Sequence, residues 1–323
     1  MMSDFQFFDS ISAELDSVET GLIKNIDSNV SIINAAGAHL IKAGGKRMRP
    51  AFVLLAAKYF KENIEDIIPM AIALELIHVA TLVHDDVIDN SDLRRGAATV
   101  RSEWGNRVSI YTGNYIFAHA LTLIEKYDRT DIVNILADTS MKICDGEINQ
   151  MLSCYKIDLG LKNYLRRIER KTALLISVSC ELGAMVSDAD EKYIKALKEY
   201  GYYLGMAFQI TDDILDFVAD EKTLGKPTGS DIRQGVITLP AIYALKHDTH
   251  REELRRLLAS PELCISEAER IIEIIINSDG IDYAYYATNH FATQAQRKLD
   301  LLPESPLRQT FINFADFLSA REC

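Results

Sequence analysis

Residues that break helices are scarce in this sequence and bunched together, which restricts the chain to long helices. Seven prolines and sixteen glycines serve 323 residues, too few for the turns that many short strands would need. Between the breakers apolar residues recur with helical spacing, and strand alternation is nowhere sustained. Helical stretches are expected over Ser10 to Ala43, Pro50 to Phe60, Asp66 to Asp89, Thr112 to Tyr127, Asp131 to Ser153, Lys162 to Ser187 and Ala189 to Val218. Four more are expected over Thr238 to Lys246, Ser266 to Asn277, Ile281 to Asp300 and Ser305 to Ala320. The fold class is all-α, and with no low-complexity linker the chain reads as one domain, 1–323.

The breakers gather in Ala43 to Pro50, Asn90 to Ala98 and Glu221 to Ser230, each with glycine and basic residues. Loops of that kind are good places for function. A net charge of −12 and 48% hydrophobic residues describe a chain with a buried core and without the basic surface of a nucleic-acid binder. Such a chain must concentrate positive charge locally, or recruit a metal, to hold an anion. The most apolar run, Ile67 to Val83, is interrupted by Pro69, Glu75 and His78 and reads as a buried helix rather than a membrane span. The five cysteines, Cys144, Cys154, Cys180, Cys264 and Cys323, lack metal-site spacing and suit reduced thiols in a cytoplasmic protein.

Two acidic clusters carry the chemistry. His84-Asp85-Asp86-Val87-Ile88-Asp89 ends one apolar segment, and Gln209-Ile210-Thr211-Asp212-Asp213-Ile214-Leu215-Asp216 ends another. Asp85 and Asp89 are four apart and share a helix face. Carboxylates at a helix C-terminus repel one another and oppose the macrodipole, so folding alone does not favour them. A hard divalent cation relieves the repulsion and keeps open positions for phosphate oxygens. One such pentapeptide is equally well a solvated helix end; two copies, each followed by a basic loop, are hard to obtain by chance. The reading is a pocket with two facing carboxylate clusters bridged through magnesium and a diphosphate.

The cationic complement is Lys46, Arg47 and Arg49 in the first loop, Arg94 and Arg95 after the first cluster, Lys171 beside Thr172, and Lys226 after the second cluster. Guanidinium forks suit phosphate oxygens and lysine supplies a point charge. His78 precedes Asp85 by about two helical turns, and a lone histidine there is more often a satisfied core residue.

Gly-Gly-Lys-Arg-Met-Arg-Pro at 44–50, Asp-Asp-Val-Ile-Asp with Arg-Arg-Gly, Gly-Glu-Ile-Asn-Gln at 146–150, Lys-Thr at 171–172, the segment at 208–216 and Gly-Lys-Pro-Thr-Gly-Ser-Asp at 225–231 occur in this order. In this ordered set the chain resembles the trans-isoprenyl diphosphate synthases, the polyprenyl synthetase family, from about Leu40 onward. It looks most like the bacterial long-chain, heptaprenyl-type branch. The resemblance implies an isoprenoid-synthase-type bundle of long helices around a deep central cavity, usually in a homodimer. It implies ionisation of an allylic diphosphate, attack by the double bond of isopentenyl diphosphate and loss of a proton, in a dry cavity. It implies magnesium, about three ions per site, with Asp85, Asp89, Asp212 and Asp216 as the metal set and Asp86 and Asp213 in the catalytic group. Arg94, Lys171, Thr172, Gln209 and Lys226 are implied to hold the allylic substrate, and Lys46, Arg49, His78 and Arg95 isopentenyl diphosphate. Thr172, Gln209 and the Lys171 carbonyl are also implied to turn oxygen dipoles toward the cation. Two positions depart from the family pattern: Val236 stands where lysine is frequent and Asn114 where aspartate is common.

Chain growth is expected along the helix that bears the first cluster. Ala80 and Thr81, five and four residues before Asp85, and Ile77 beyond them are not aromatic, whereas farnesyl-type enzymes carry bulky rings at the nearer positions. Each turn is about 5.4 Å, comparable to one isoprene unit, and a product of roughly six to eight units is expected, with heptaprenyl as the best single value. A floor supplied by Ile116, Phe117 or Ile148 is the alternative. A farnesyl or geranylgeranyl synthase, a subunit that requires a small regulatory partner, and a terpene cyclase are the competing readings. The repeated aspartate motif and Gly-Gly-Lys-x-x-Arg speak against the cyclase. Peripheral membrane contact for product release and service to a quinone side chain are compatible with the sequence, which does not specify either.

Overall fold

The computed structural model describes residues 6–26, 28–94, 96–219 and 228–320, and it is all-α as expected. The helices are α1 (Ser12–Lys24), α2 (Ser31–Lys42), α3 (Met48–Lys58), α4 (Ile68–Ile88), α5 (Val100–Glu125), α6 (Thr130–Ser153), α7 (Gly160–Ile168), α8 (Leu174–Met185) and α9 (Glu191–Val218). They continue with α10 (Ser230–Arg233), α11 (Leu239–His247), α12 (Arg251–Leu258), α13 (Pro261–Ser266), α14 (Ala268–Ile276), α15 (Gly280–Lys298) and α16 (Pro306–Ser319). Among the described residues the only strands are β1 (Leu93–Arg94) and β2 (Ala97–Ala98), an antiparallel pair in the second breaker segment. Its turn includes Gly96 at φ +76°, a left-handed conformation that glycine adopts without a Cβ clash.

The residues cluster into two compact units of interleaved segments: Met1–Ala137, Val178–Lys198 and Glu304–Thr310 in the first, and Asp138–Ser177, Glu199–Pro303 and Phe311–Cys323 in the second. In the first unit α4 is the central rod. Ala71 to Ile77 are all buried, including Glu75. This helix is long and apolar enough to cross a membrane by composition, but most of it is buried within the protein. Arg47, itself 4% exposed, explains the buried acid: it donates to Glu75 Oε1 at 3.0 Å and grips both oxygens of Glu19 at 2.7 and 2.9 Å. A buried charge persists only when paired in this way. Arg47, counted from sequence with the diphosphate cations, is thus engaged by protein carboxylates. Gly183 of α8 lies so close to α3 that a Cβ there would come within 2.3 Å of the Val53 carbonyl oxygen. Gly113 of α5 similarly faces the His84 ring, 2.4 Å from where its Cβ would stand. His84, whose role was not legible from spacing, is therefore a packing element between α4 and α5.

In the second unit α9 presents Met206, Ile210, Ile214 and Phe217 to a core shared with Tyr164, Ile237, Leu254 and Ile271. The spacing of four and three keeps these side chains on one stripe, and full burial of each is worth about 1.5–3 kcal/mol. The single helix expected over Lys162 to Ser187 contains a π turn, Glu169–Ala173. Such turns insert one residue into the helical ladder and frequently mark functional sites. Gly205 of α9 packs directly on it: a Cβ on this glycine would stand only 2.5 Å from Ala173 Cα.

Candidate active site

The first aspartate cluster occupies the last turn of α4. Asp85 is half-buried, Asp86 is 1% exposed and Asp89 is exposed. Helix geometry separates these roles: Asp85 and Asp89 share a face, while Asp86 turns inward. Asp86 accepts from Arg94 Nε at 2.7 Å, and the hairpin formed by β1 and β2 supplies that arginine. Burial is the larger influence on the Asp86 carboxyl and raises its pKa, outweighing the Arg94 charge that lowers it. Arg94, expected on the allylic diphosphate, thus has one nitrogen engaged by the first motif.

Around this helix end, His78, Arg94, Glu75 and Asp86 line a small cavity of about 30 Å³ together with His39. Sequence reasoning missed His39. Its Nε2 lies 2.5 Å from the Ala98 carbonyl oxygen and its ring meets the edge of Trp104 at 5.5 Å, contacts that no local pattern announces. Lys46 is exposed on the loop before α3, and Arg49 is half-buried in its first turn. Arg95 and Lys226 lie outside the described residues.

In the second cluster the three aspartates also differ. Asp212 is exposed, while Asp213 and Asp216 are 3% and 1% exposed. Asp216 accepts from Ser230 Oγ at 2.9 Å and from the Asp231 backbone N–H at 3.1 Å. It ties down the chain after the third breaker segment. Asp213 accepts from Gln209 Nε2 at 2.9 Å and from Tyr164 hydroxyl at 2.8 Å. Burial raises its pKa, with Asp231 adding to the effect and the two donors opposing it. The π turn brings Thr172 to Gln209, whose Oε1 accepts the threonine hydroxyl at 2.5 Å. Lys171, exposed beside it, donates to Gln150 Oε1 at 3.3 Å. Gly205 makes this meeting possible, since Gln209 lies one helical turn beyond the point where α9 touches the π turn. Tyr164 was not singled out from sequence: seven residues before Lys171, it carries no motif.

Of the chain-length candidates, Ile77 and Ala80 are buried at 2% and 1% exposure, and Thr81 is half-buried with its hydroxyl on the His78 carbonyl at 2.8 Å. Ile116 is buried, Phe117 half-buried, and Ile148 is 54% exposed. Val236 is held by its N–H on the Asp231 carbonyl at 2.8 Å, and Asn114 is exposed on α5.

Among the described residues no three His, Cys, Asp or Glu side chains converge tightly enough to hold an ion unaided. The donor types in each motif nevertheless suit a hard cation: Asp85 and Asp89 in one, and Asp212 in the other, are carboxylates that solvent reaches, and such a cation takes carboxylate oxygens while keeping water and phosphate oxygens in its shell.

Comparison with known proteins agrees with this geometry. Residues 30–275 match the polyprenyl synthetase family. The chain is 41% identical to heptaprenyl diphosphate synthase component 2 of Bacillus subtilis (strain 168) over 324 aligned residues, covering 99% of this chain and 92% of that protein. It superposes on the crystal structure of heptaprenyl diphosphate synthase from Staphylococcus aureus with a TM-score of 0.92 and 37% identity, covering 96% and 98% of the two chains. The Caulobacter crescentus CB15 polyprenyl synthase, crystallised with calcium and isoprenyl diphosphate, gives a TM-score of 0.93 at 34% identity, covering 98% and 97%. The chain belongs to the polyprenyl synthetase family and is a prenyltransferase.

Proposed function

We propose that this prenyltransferase lengthens an allylic diphosphate with isopentenyl diphosphate, depends on magnesium, and makes an all-trans product of heptaprenyl length as the catalytic subunit of an assembly with a smaller partner. The observation that carries the reaction is the division of labour within both aspartate motifs. Each has one inward carboxylate fixed by protein donors, Asp86 on Arg94 and Asp213 on Tyr164 and Gln209. Each also has carboxylates that solvent reaches, half-buried Asp85 and exposed Asp89 in one and exposed Asp212 in the other. Magnesium bound there would neutralise the leaving diphosphate.

The chain's own residues supply the rest. Arg94, Lys171 and Lys226 take the oxygens of the allylic diphosphate; Lys46, Arg49, His78 and Arg95 hold isopentenyl diphosphate. Thr172, Gln209 and the Lys171 carbonyl turn oxygen toward the carbon that becomes positive. The proton lost after the new bond forms passes to the departed diphosphate.

Product length is supported by Ile77, Ala80 and Thr81, none of which bears an aromatic ring that would stop growth within the first turns. The Bacillus relative's designation as a second component favours a partner subunit. So does a stripe of exposed apolar side chains on α6, Met141, Ile148, Met151 and Leu152, recurring at helical spacing. Cys144, Cys154, Cys180 and Cys264 form no disulfide among the described residues, which suits a cytoplasmic setting. Asp85→Ala and Asp212→Ala are expected to lower turnover by about 100-fold or more, as loss of one electrostatic contact at a transition state does. Steady-state rates at saturating magnesium check this, and near-normal turnover in either variant refutes the metal assignment.

A further inference from the structure

The second unit contains four side chains joined in a single line of hydrogen bonds: Tyr164, Asp213, Gln209 and Thr172. With Asp213 ionised, each link has a fixed sense. A carboxylate only accepts, so the Tyr164 hydroxyl must donate to Asp213 Oδ2 at 2.8 Å, and the amide nitrogen of Gln209 must donate to Asp213 Oδ1 at 2.9 Å. The reversed amide would set Gln209 Oε1 against a carboxylate oxygen, so the orientation of the amide is decided by Asp213. Gln209 Oε1 is then left as an acceptor, and it takes the one proton that the Thr172 hydroxyl has, at 2.5 Å. Thr172 therefore has no proton to offer a ligand; only lone pairs remain. Tyr164, Asp213 and Thr172 are 2%, 3% and 6% exposed, so water does not compete readily for these links. Tyr164 is itself braced by the Arg167 guanidinium 5.4 Å from its ring centre, with Arg167 donating to the Ile237 carbonyl at 2.8 Å.

We infer that Tyr164 is a positioning residue for prenyl transfer: through Asp213 and Gln209 it sets the polarity of Thr172, which faces the substrate as an acceptor toward developing positive charge and not as a donor to the diphosphate. The inference rests on the proposed function for its reaction, while the network stands on geometry alone. Without the tyrosine hydroxyl, Asp213 loses the donor that anchors its other oxygen, and the carboxylate, the Gln209 amide that follows it and the Thr172 hydroxyl bonded to that amide lose their fixed placement toward the reacting carbon.

The test is a double-mutant cycle of the full chain with magnesium, using Tyr164→Phe, Thr172→Val and the pair. Tyr164→Phe is expected to lower kcat about tenfold with KM for the allylic diphosphate almost unchanged, and to do no further harm once Thr172 is valine. Additive losses, or a loss in KM alone, would overturn the assignment. Calorimetric binding of farnesyl diphosphate with magnesium, in the absence of isopentenyl diphosphate, gives a readout apart from turnover. Tyr164→Phe is expected to leave that affinity intact, and a tenfold weakening would mean that Thr172 donates to the diphosphate after all. If the folded wild-type chain transfers no prenyl group even with a partner subunit, the functional reading fails separately. The network is then read from thermal midpoints, where Tyr164→Phe and Gln209→Leu should be non-additive; additive shifts there would dismiss it.

Discussion

At the scale of single residues, the aspartate motifs show how one spacing produces two kinds of carboxylate. The first and last aspartates of Asp85-Asp86-Val87-Ile88-Asp89 share a helix face that solvent reaches, and the middle one turns inward onto Arg94. In the second motif the inward class also takes in Asp216, whose oxygens accept from Ser230 and Asp231. The resemblance placed Asp216 in the metal set, where it repeats the position of Asp89; the bonds it accepts from the segment that returns at Ser230 depend on tertiary structure and were not legible from spacing. Ala80 belongs to this scale too. Its side chain is buried on α4, and a phenyl ring there would add bulk one turn above Asp85. Ala80→Phe and Thr81→Phe are each expected to shorten the product by at least about one isoprene unit, the length of one helical turn. Chromatography of the dephosphorylated products checks this, and unchanged distributions in both variants would place the floor on another element.

Among the elements, close approaches marked by glycine position the site. Gly205 lets α9 touch the π turn so that Gln209 reaches Thr172, and Gly183 lets α8 lie against the α3 backbone at Val53. An added methyl must displace backbone in both places, and overpacking of this kind costs typically 1–3 kcal/mol. Gly183→Ala is expected to lower the unfolding free energy by about that amount while leaving KM values near normal. Gly205→Ala is expected to cost similar stability and also to reduce kcat, because it separates Thr172 from Gln209. Denaturant unfolding with parallel kinetics distinguishes the two, and equal activity losses would contradict the positional argument. Much of this architecture was legible in sequence. α6 and α9 end where the periodicity ends, at Ser153 and Val218, because long amphipathic stretches announce themselves. α12 and α13 were not, being short and closely spaced. The stretch expected over Ser10 to Ala43 divides into α1 and α2, and α5 begins at Val100, well before the expected Thr112, with an interruption at Gly105 where φ is +81°. The π turn was invisible because its backbone departs from the helix without a change in composition.

For the whole molecule, positive charge is local in a chain whose net charge is −12. Some of the cations that sequence reasoning gave to substrate are engaged by protein carboxylates: Arg47 entirely, in a buried cluster with Glu19 and Glu75, and Arg94 in part. The motifs that carried the family resemblance fall in both compact units, and each unit builds its own motif on a helix end with its own fixed inner carboxylate. The acid and the helix end are local properties, which is why the sequence disclosed them; the partners, Arg94 on Asp86 and Tyr164 on Asp213, it did not. The links from Tyr164 to Thr172 join residues scattered over about fifty positions and come from packing alone. The most direct test of the central claim is product analysis of the purified chain with magnesium, farnesyl diphosphate and radiolabelled isopentenyl diphosphate, with and without a candidate partner subunit and with a chelator control. The account predicts magnesium-dependent incorporation into a polyprenol of heptaprenyl length, complete once the partner is present and abolished by the chelator. Incorporation that stops at the first condensation, or that persists undiminished without divalent metal, would contradict it.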